Sequence, residues 1–393
     1  MASSAAQIRS YEGPALFSYG FRPFFLFGAG WAALVVAIWL PLLAGTFSLP
    51  TLFSPIDWHV HELLYGYVPA IVAGFLLTAG PNWTGPLPVA GPPLPLLFGL
   101  WLVGRLAILL SRWLGPIAAG AVDLLFLLTL GAVIAREVVA AGNTRNLKVL
   151  AGVALLLAGN ALFHVGASTS LGTGLGERLG IAASIFLIML IGGRIIPSFT
   201  RNWLAQRQAG RLPVPFGKPD MAAVGLSSGS LAAWVAGPER AETAALAIAA
   251  CLANALRLAR WHGHRTVAEP LVLILHIAYA FVPIGYGLLA LAILAPGAVT
   301  ASGAVHGWTA GAIALMTLAV MTRASLGHTG RPLRATKAIA FIYAAAIVAA
   351  LARILVAFGV AREPLLHVSA IAWVVAFAGF VAVYAPLLLR ARS

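Results

Sequence analysis

The sequence predicts an all-α polytopic membrane protein with about twelve transmembrane helices and both termini in the cytoplasm. Three observations predict this fold class. Hydrophobic residues make up 61% of the 393 residues, whereas charged residues make up 9%. Apolar runs of roughly 20 residues, the length that crosses a bilayer core, recur along the whole chain. Lys and Arg are concentrated in the short connections between these runs, where they act as orientation signals.

The helix boundaries follow from the apolar runs and from the Gly and Pro residues that separate them. We expect a single integral membrane domain over residues 1–393, in which 1–24 form an N-terminal interfacial segment. Residues 1–10 lack a signal-peptide core, so the first helix is expected to direct insertion. Helices 1–6 fall within 25–199, a basic cytoplasmic loop spans 200–218, and helices 7–12 fall within 219–393. The predicted helices span 25–45, 57–80, 94–112, 116–140, 147–167, 177–199, 219–237, 241–259, 269–293, 302–323, 335–358 and 364–388.

The charge distribution fixes the predicted orientation. If the N-terminus is cytoplasmic, most of the 25 Lys and Arg residues lie in connections that face inward. One connection departs from this pattern, because no Lys or Arg occurs between Gly80 and Leu100. The net charge of +14 is therefore interpreted as an orientation signal and not as a nucleic-acid-binding face. The single cysteine, Cys251, excludes a disulfide framework, a thiolate metal cluster and a Cys-x-x-Cys-His haem attachment.

The stretch Asp57-Trp58-His59-Val60-His61-Glu62 stands at the mouth of the second predicted helix. Two imidazoles and two carboxylates are costly there unless something binds them. His59 and Glu62 are three residues apart and share a face of a helix, whereas His61 points in another direction. The spacing predicts that His59 pairs with Glu62 and leaves His61 for a second site or a supporting role. The alternative is that His59 lies in a non-helical entry turn, where both imidazoles would share one metal.

The other histidines sort by depth in the predicted topology. The outer level holds His59, His61, His164, His306 and His367 together with Glu62. The inner level holds His276 and His328, near Arg194 and Arg323. Imidazole is a good ligand for haem iron, copper and zinc, so both levels are candidate metal sites. The alternatives are that single histidines bond backbone carbonyls, that His367 faces water, and that the arginines reach the headgroups.

Several segments together resemble the NnrS family of haem- and copper-containing bacterial membrane proteins, which are linked to nitric oxide metabolism. The resemblance covers nearly the whole chain, with a looser match at Gly303–Trp308. The segments that carry it are Phe21-Arg22-Pro23-Phe24-Phe25, Asp57–Glu62, Gly74–Ala79, Asn82-Trp83-Thr84-Gly85, Gly193-Arg194-Ile195-Ile196-Pro197, Thr200-Arg201-Asn202, Leu275-His276 with Tyr279, and Met316–Gly330.

This resemblance implies one or two b-type haems, copper or another non-haem metal, and nitric oxide as the small molecule in the bacterial inner membrane. The leading hypothesis is a nitric oxide reductase that takes electrons from a quinol or another donor. Glu62 would supply protons to a metal held by the outer histidines. A second haem would use His276 and His328 with Arg194 and Arg323, and Arg22 is a further expected cofactor-binding residue. The alternatives are a non-catalytic NO-binding or sensing protein and a secondary transporter, while the oligomeric state stays open.

Overall fold

The structure is a computed structural model that describes residues 11–390, apart from residues 12, 80–92, 141, 143–145 and 208–209. Every regular element in this part of the chain is a helix, and it contains no β-strand. The all-α prediction is therefore confirmed for the described residues. The motif Asn82–Gly85 and most of the cation-free connection after the second helix lie outside them.

The described helices follow the predicted order, and we number them α1 to α12. Three of them contain a π-helical segment, and α3 is followed by the short helix Ser111–Leu114. The bounds are α1 Phe21–Leu43; α2 Pro55–His61, π segment Glu62–Tyr67 and Val68–Ala79; α3 Pro93–Leu109; α4 Pro116–Ala140; α5 Leu147–Ala167; α6 Gly174–Leu187, π segment Ile188–Gly192 and Gly193–Ala205; α7 Lys218–Ala236; α8 Ala241–Ala259; α9 Pro270–Leu294; α10 Ala301–Ala304, π segment Gly307–Ile313 and Ala314–His328; α11 Lys337–Ala357; α12 Arg362–Leu389.

Short polar residues fix several helix starts. The Ser54 side chain accepts a hydrogen bond from the Asp57 backbone N–H and so caps α2. Thr300 caps α10 in the same way. The helix ends differ from the prediction mainly on the C-terminal side, because α6 continues to Ala205 and α10 continues to His328. The first residues of the predicted basic loop are therefore helical.

Ten described helices are long and apolar enough to cross a membrane, by length and composition alone. Two predicted spans fall outside this count: α3 is shorter, and α7 does not reach the same hydropathy. The structure thus shows a multi-pass set of apolar helices. The number twelve and the cytoplasmic position of both termini stay predictions.

Chain contacts divide the molecule into two compact units. Unit 1 comprises the chain up to Ala183, Ala324–Arg331 and the chain from Phe377 onward. In this unit α1 packs on the second half of α2, and α4 packs on both α3 and α5. The N-terminal part of α6 approaches α5 closely, because a Cβ at Gly176 would lie 2.5 Å from the backbone nitrogen of Phe163.

Unit 2 comprises Ser184–Arg323 and Pro332–Ala376. Its helices α7, α8 and α9 pack in sequence order, and α9 also packs on the π segment of α10. Glycine permits this second contact, because a Cβ at Gly285 would collide with the Trp308 ring. The prediction of a single domain remains untested by this division.

Candidate metal centre

The polar stretch that opens α2 places two titratable side chains inside unit 1. His61 ends the first α-helical part of α2, and Glu62 begins its π segment. Both side chains are fully buried at 0% exposure. π-helical turns are rare and occur frequently at functional sites. The structure pairs Glu62 with His61, where the spacing predicted His59, because His61 Nδ1 lies 3.0 Å from Glu62 Oε1.

Two further buried charges reach this pair from neighbouring helices. Arg105 from α3 donates from Nη1 to Glu62 Oε1 at 2.8 Å. Its Nη2 donates to a carboxylate oxygen of Asp123 from α4. One guanidinium thus bridges two carboxylates, a planar arrangement that Lys could not reproduce. Buried charges are stable in apolar surroundings when they are paired and hydrogen-bonded in this way.

Asn160 and His164 from α5 complete the arrangement around Asp123. Asn160 Nδ2 donates to Asp123 Oδ2 at 2.7 Å, and His164 Nε2 lies 3.0 Å from the same oxygen. His61 Nε2 lies 3.2 Å from Asp123 Oδ2 and 3.1 Å from Asn160 Oδ1. We call these six residues (His61, Glu62, Arg105, Asp123, Asn160 and His164) the unit 1 cluster.

Part of the unit 1 cluster has the donor set of a metal site. His61, Asp123 and His164 each offer one ligand atom, and these atoms all lie within 4.8 Å of one another. Two imidazole nitrogens and a carboxylate oxygen suit copper, iron or zinc. The charge balance also fits, because two carboxylates and one guanidinium leave one negative charge for a cation. Asn160 would act as a supporting residue that orients both His61 and Asp123.

Two tryptophans support the edge of the unit 1 cluster. Trp31 from α1 donates from Nε1 to the second oxygen of Glu62 at 2.8 Å. Trp101 from α3 donates to the backbone carbonyl of Gly66 at 2.8 Å, within the π segment. Glu62 therefore has defined partners on both carboxylate oxygens, and the distorted turn that carries it is tied to α3.

Other predicted site residues of unit 1 lie in different surroundings. The His59 ring stacks on Trp39 with centroids 4.1 Å apart. The His328 ring lies 5.6 Å from that of Phe21. Arg22 is buried, and its Nη1 donates to the carbonyls of Leu388 at 3.0 Å and Arg390 at 2.6 Å. The roles predicted for His59, His328 and Arg22 stay predictions.

The remaining predicted residues belong to unit 2. His306 bonds the Ser302 carbonyl, and the exposed His367 bonds the Glu363 carbonyl, each one helical turn back. Both are local backbone contacts, and the exposure of His367 agrees with the alternative that it faces water. The metal-binding roles predicted for His306 and His367 stay predictions. Three residues predicted to hold the second haem lie in this unit. His276 is buried and contacts Thr200. Arg194 is exposed, and the guanidinium of Arg323 lies over the Phe199 ring. That ligand set stays a prediction.

Sequence reasoning missed Arg105, Asp123 and Asn160. Arg105 gives no separate signal in the sequence, because the Lys and Arg residues are interpreted together as orientation charges, yet it is 2% exposed inside an apolar helix. Asp123 carried a usable signal, because an ionisable residue inside a membrane helix is a candidate functional residue by default. Asn160 has no such signal in one sequence, since an isolated amide in an apolar helix is compatible with many local hydrogen bonds.

The helices and the unit 1 cluster define a class: a multi-pass, all-helical membrane protein with a buried histidine–carboxylate centre. A match to a protein-family model identifies the family within this class. The model described as NnrS protein matches residues 15–392, nearly the whole chain, so the protein belongs to the NnrS family. Membership implies a membrane protein that is associated with haem and copper and linked to the nitric oxide response. No curated protein matches the chain.

Proposed function

We propose that this protein is a nitric oxide reductase of the membrane. Two NO molecules, two electrons and two protons would give one N2O and one water, with electrons from a quinol or another donor. The observation that carries the proposal is the donor set of buried His61 and Asp123 with half-buried His164, directly beside Glu62. A metal bound there would supply a site for NO and a path for electrons.

The protein residues have separate tasks in this proposal. His61, Asp123 and His164 would hold the metal, for which copper or iron is the best match of ligand type. Glu62 lies within hydrogen-bond distance of His61 and would supply protons to the bound substrate. Arg105 keeps both carboxylates in position and limits the cost of burying them. Its role is therefore positional.

The test uses the purified full-length chain. Iron and copper are counted, the reduced absorption spectrum is recorded, and NO is added without oxygen in the presence of an artificial electron donor. We expect haem bands, bound copper or non-haem iron, and N2O measured by gas chromatography. If the protein contains haem but forms no N2O, the reductase proposal is wrong and a non-catalytic NO-binding protein takes its place. Absence of both haem and metal would overturn the proposal as a whole.

His164→Phe gives a sharper version of the test. It removes one ligand atom and keeps a ring of similar size, so we expect loss of the non-haem metal and of N2O formation. The matched control is His367→Phe, because His367 is exposed and bonds its own helix. Equal metal content in the two variants would exclude His164 as a ligand.

Secondary transport is the second candidate function. It is favoured by the bridge that Arg105 forms between two buried carboxylates, since paired intramembrane charges also mark ion pathways. A protein that holds neither haem nor metal and exchanges protons across vesicle membranes would favour transport. Metal retained through purification, together with N2O formation, would exclude it as the main activity.

A further inference from the structure

The unit 1 cluster is closed to its surroundings except on one side. Five of its six members are at most 2% exposed. The His164 side chain is 11% exposed and is therefore the least buried member. His164 thus marks the side on which an approaching molecule can reach the three proposed ligand atoms. The residues around this ring decide which molecules can do so.

Phe53, in the connection that precedes α2, lies on this side of the cluster. Its ring centroid is 5.8 Å from that of His164 and 5.1 Å from that of His61. Phe53 is half-buried, whereas Phe163, whose ring lies 5.6 Å from it, is fully buried. The Phe53 ring therefore contacts both proposed imidazole ligands with one part of its surface and faces outward with the rest.

Two further aromatic rings contact His61. The Phe163 ring lies 5.4 Å from the His61 ring, and the Tyr65 ring lies 5.6 Å from it. The Tyr65 hydroxyl donates its single proton to the Gly176 carbonyl at 2.6 Å, so this proton is already used. The rings thus offer mainly apolar surface. Such surroundings suit a small uncharged molecule better than an anion or a hydrated ion.

Hydrogen bonds hold the segment that carries Phe53 against the short helix that follows α3. The Leu52 N–H donates to Ser111 Oγ at 2.9 Å, and Thr51 Oγ1 lies 3.2 Å from the same oxygen. The next residue, Arg112, donates its backbone N–H to this connection at 3.2 Å. Ser111 is 3% exposed, so its hydrogen bonds are sheltered from water. The backbone at Phe53 is therefore fixed relative to the cluster.

We propose that Phe53 is a specificity-determining residue of the unit 1 cluster. Its ring covers the side on which His164 is exposed, so it excludes bulk water and bulky ligands from the proposed metal site. Because Phe53 is partly exposed, fluctuations of its ring admit a diatomic molecule such as NO, whereas a larger ligand requires the ring to be displaced. This inference rests on the proposed function, for which it explains how a small uncharged gas is selected at a polar centre.

Chemical modification of His164 tests the covering role without NO. The full-length chain in detergent, treated with a chelator, is exposed to diethyl pyrocarbonate, and modified His164 is quantified by peptide mass spectrometry. Phe53→Ala removes the ring contact, so His164 should react about tenfold faster than in the native chain. The matched control is Phe47→Ala, because Phe47 belongs to the same connection and is 41% exposed. In this variant His164 should react at the native rate.

Ligand size provides the second measurement. CO and tert-butyl isocyanide are added to the reduced, metal-loaded chain, and their bands at the non-haem metal are recorded by infrared spectroscopy. We expect the native chain to bind CO and to bind tert-butyl isocyanide weakly. Phe53→Ala should bind the isocyanide about tenfold more tightly, with little change for CO. Ser111→Ala keeps the ring and releases the segment that carries it, so it should shift both measurements in the same direction by less.

The outcomes separate this inference from the proposed reductase. Unchanged His164 modification and unchanged isocyanide binding in Phe53→Ala and Ser111→Ala, with native melting temperatures, would overturn the role of Phe53. Equal effects of Phe47→Ala would also overturn it, and Ser111→Ala decides alone if Phe53→Ala does not fold. Faster modification in Phe53→Ala of a chain that binds no metal would support the covering role and contradict the proposed function. N2O formation by a native chain that binds tert-butyl isocyanide as readily as CO would contradict only the role of Phe53.

Discussion

The two buried arginine networks differ in charge balance, and the difference indicates what each can bind. In unit 1, Arg105 faces two carboxylates, Glu62 and Asp123. In unit 2, Arg257 faces one carboxylate, Asp220, whose other oxygen lies 3.6 Å from Arg260. In the first network the negative charges outnumber the positive ones by one, so this network suits a cation. The second has two guanidiniums facing one carboxylate, so it has no excess of negative charge to attract a cation. Similar polar residues thus give two buried networks of opposite charge balance in one apolar protein.

The largest expected effect comes from removing each arginine. Arg105→Met leaves two buried carboxylates, Glu62 and Asp123, without an arginine partner. Arg257→Met leaves one, Asp220, which Arg260 still faces at 3.6 Å. Breaking a buried ion pair costs about 3–5 kcal/mol, and we expect Arg105→Met at the upper end and Arg257→Met at the lower end. Denaturant titration of both variants in detergent measures the difference. Equal losses would show that the number of carboxylates does not set the cost.

The second prediction concerns Glu62. Glu62→Gln keeps the shape and removes the exchangeable acid, so N2O formation should fall about 10²–10⁴-fold. Metal content should stay at the native level, because the ligand atoms of His61, Asp123 and His164 remain. Glu363→Gln, on an exposed residue of unit 2, is the matched control for turnover. A parallel loss of metal would assign Glu62 a ligand role instead.

The third prediction uses two buried asparagines that each bridge neighbours. Asn160 joins His61 to Asp123, whereas Asn254 joins Tyr279 to Ser227. Asn160→Ala should weaken copper binding about 10–100-fold, as losses of supporting hydrogen bonds do at metal sites. Asn254→Ala should leave copper affinity unchanged. Competition with a colour-forming Cu(I) chelator measures both, and a weaker affinity in Asn254→Ala would break the separation of the two networks.

The smallest effect is expected at the N-terminal caps of two helices that carry histidines, α2 and α10. Ser54 caps α2 in unit 1 and Thr300 caps α10 in unit 2 through the same kind of hydrogen bond. Ser54→Ala and Thr300→Ala should each reduce the free energy of unfolding by about 1 kcal/mol. Thermal melts of the two variants should therefore be alike. A loss of metal in Ser54→Ala would show that the cap also positions His61.

Much of the fold could be predicted from the sequence, because apolar length and Gly/Pro punctuation are local properties. The starts of α4, α5 and α8 agree with the prediction, while α6 and α10 run further than hydropathy indicates. Polar residues such as Arg201 and Asn202 continue α6 as a helix after the apolar run has ended. Hydropathy indicates which residues lie in the lipid core, and a helix can continue past that core into polar surroundings.

The candidate site was predicted in part. His61, Glu62 and His164 were identified because they are polar residues in apolar surroundings, and the structure brings them together. Their link is Asp123, which lies on another helix, 62 positions after His61 in the chain. A single sequence carries no information on which helices are neighbours. The pairing of His61 with Glu62 was also missed, since the spacing argument assumed regular α-helix and the π segment begins at Glu62.

The π segment of α2 has a consequence for how this helix meets its neighbours. Each residue of a regular helix turns the chain by about 100°, so an irregular turn puts the two halves of α2 out of phase. The half that ends at His61 can direct its side chains toward α4 and α5. The half from Val68 to Ala79 can direct an apolar face toward α1. The π segment thus lets one helix present His61 to α4 and α5 and still pack its second half on α1. Deleting one residue from Glu62–Tyr67 would rotate one half relative to the other by about 100°.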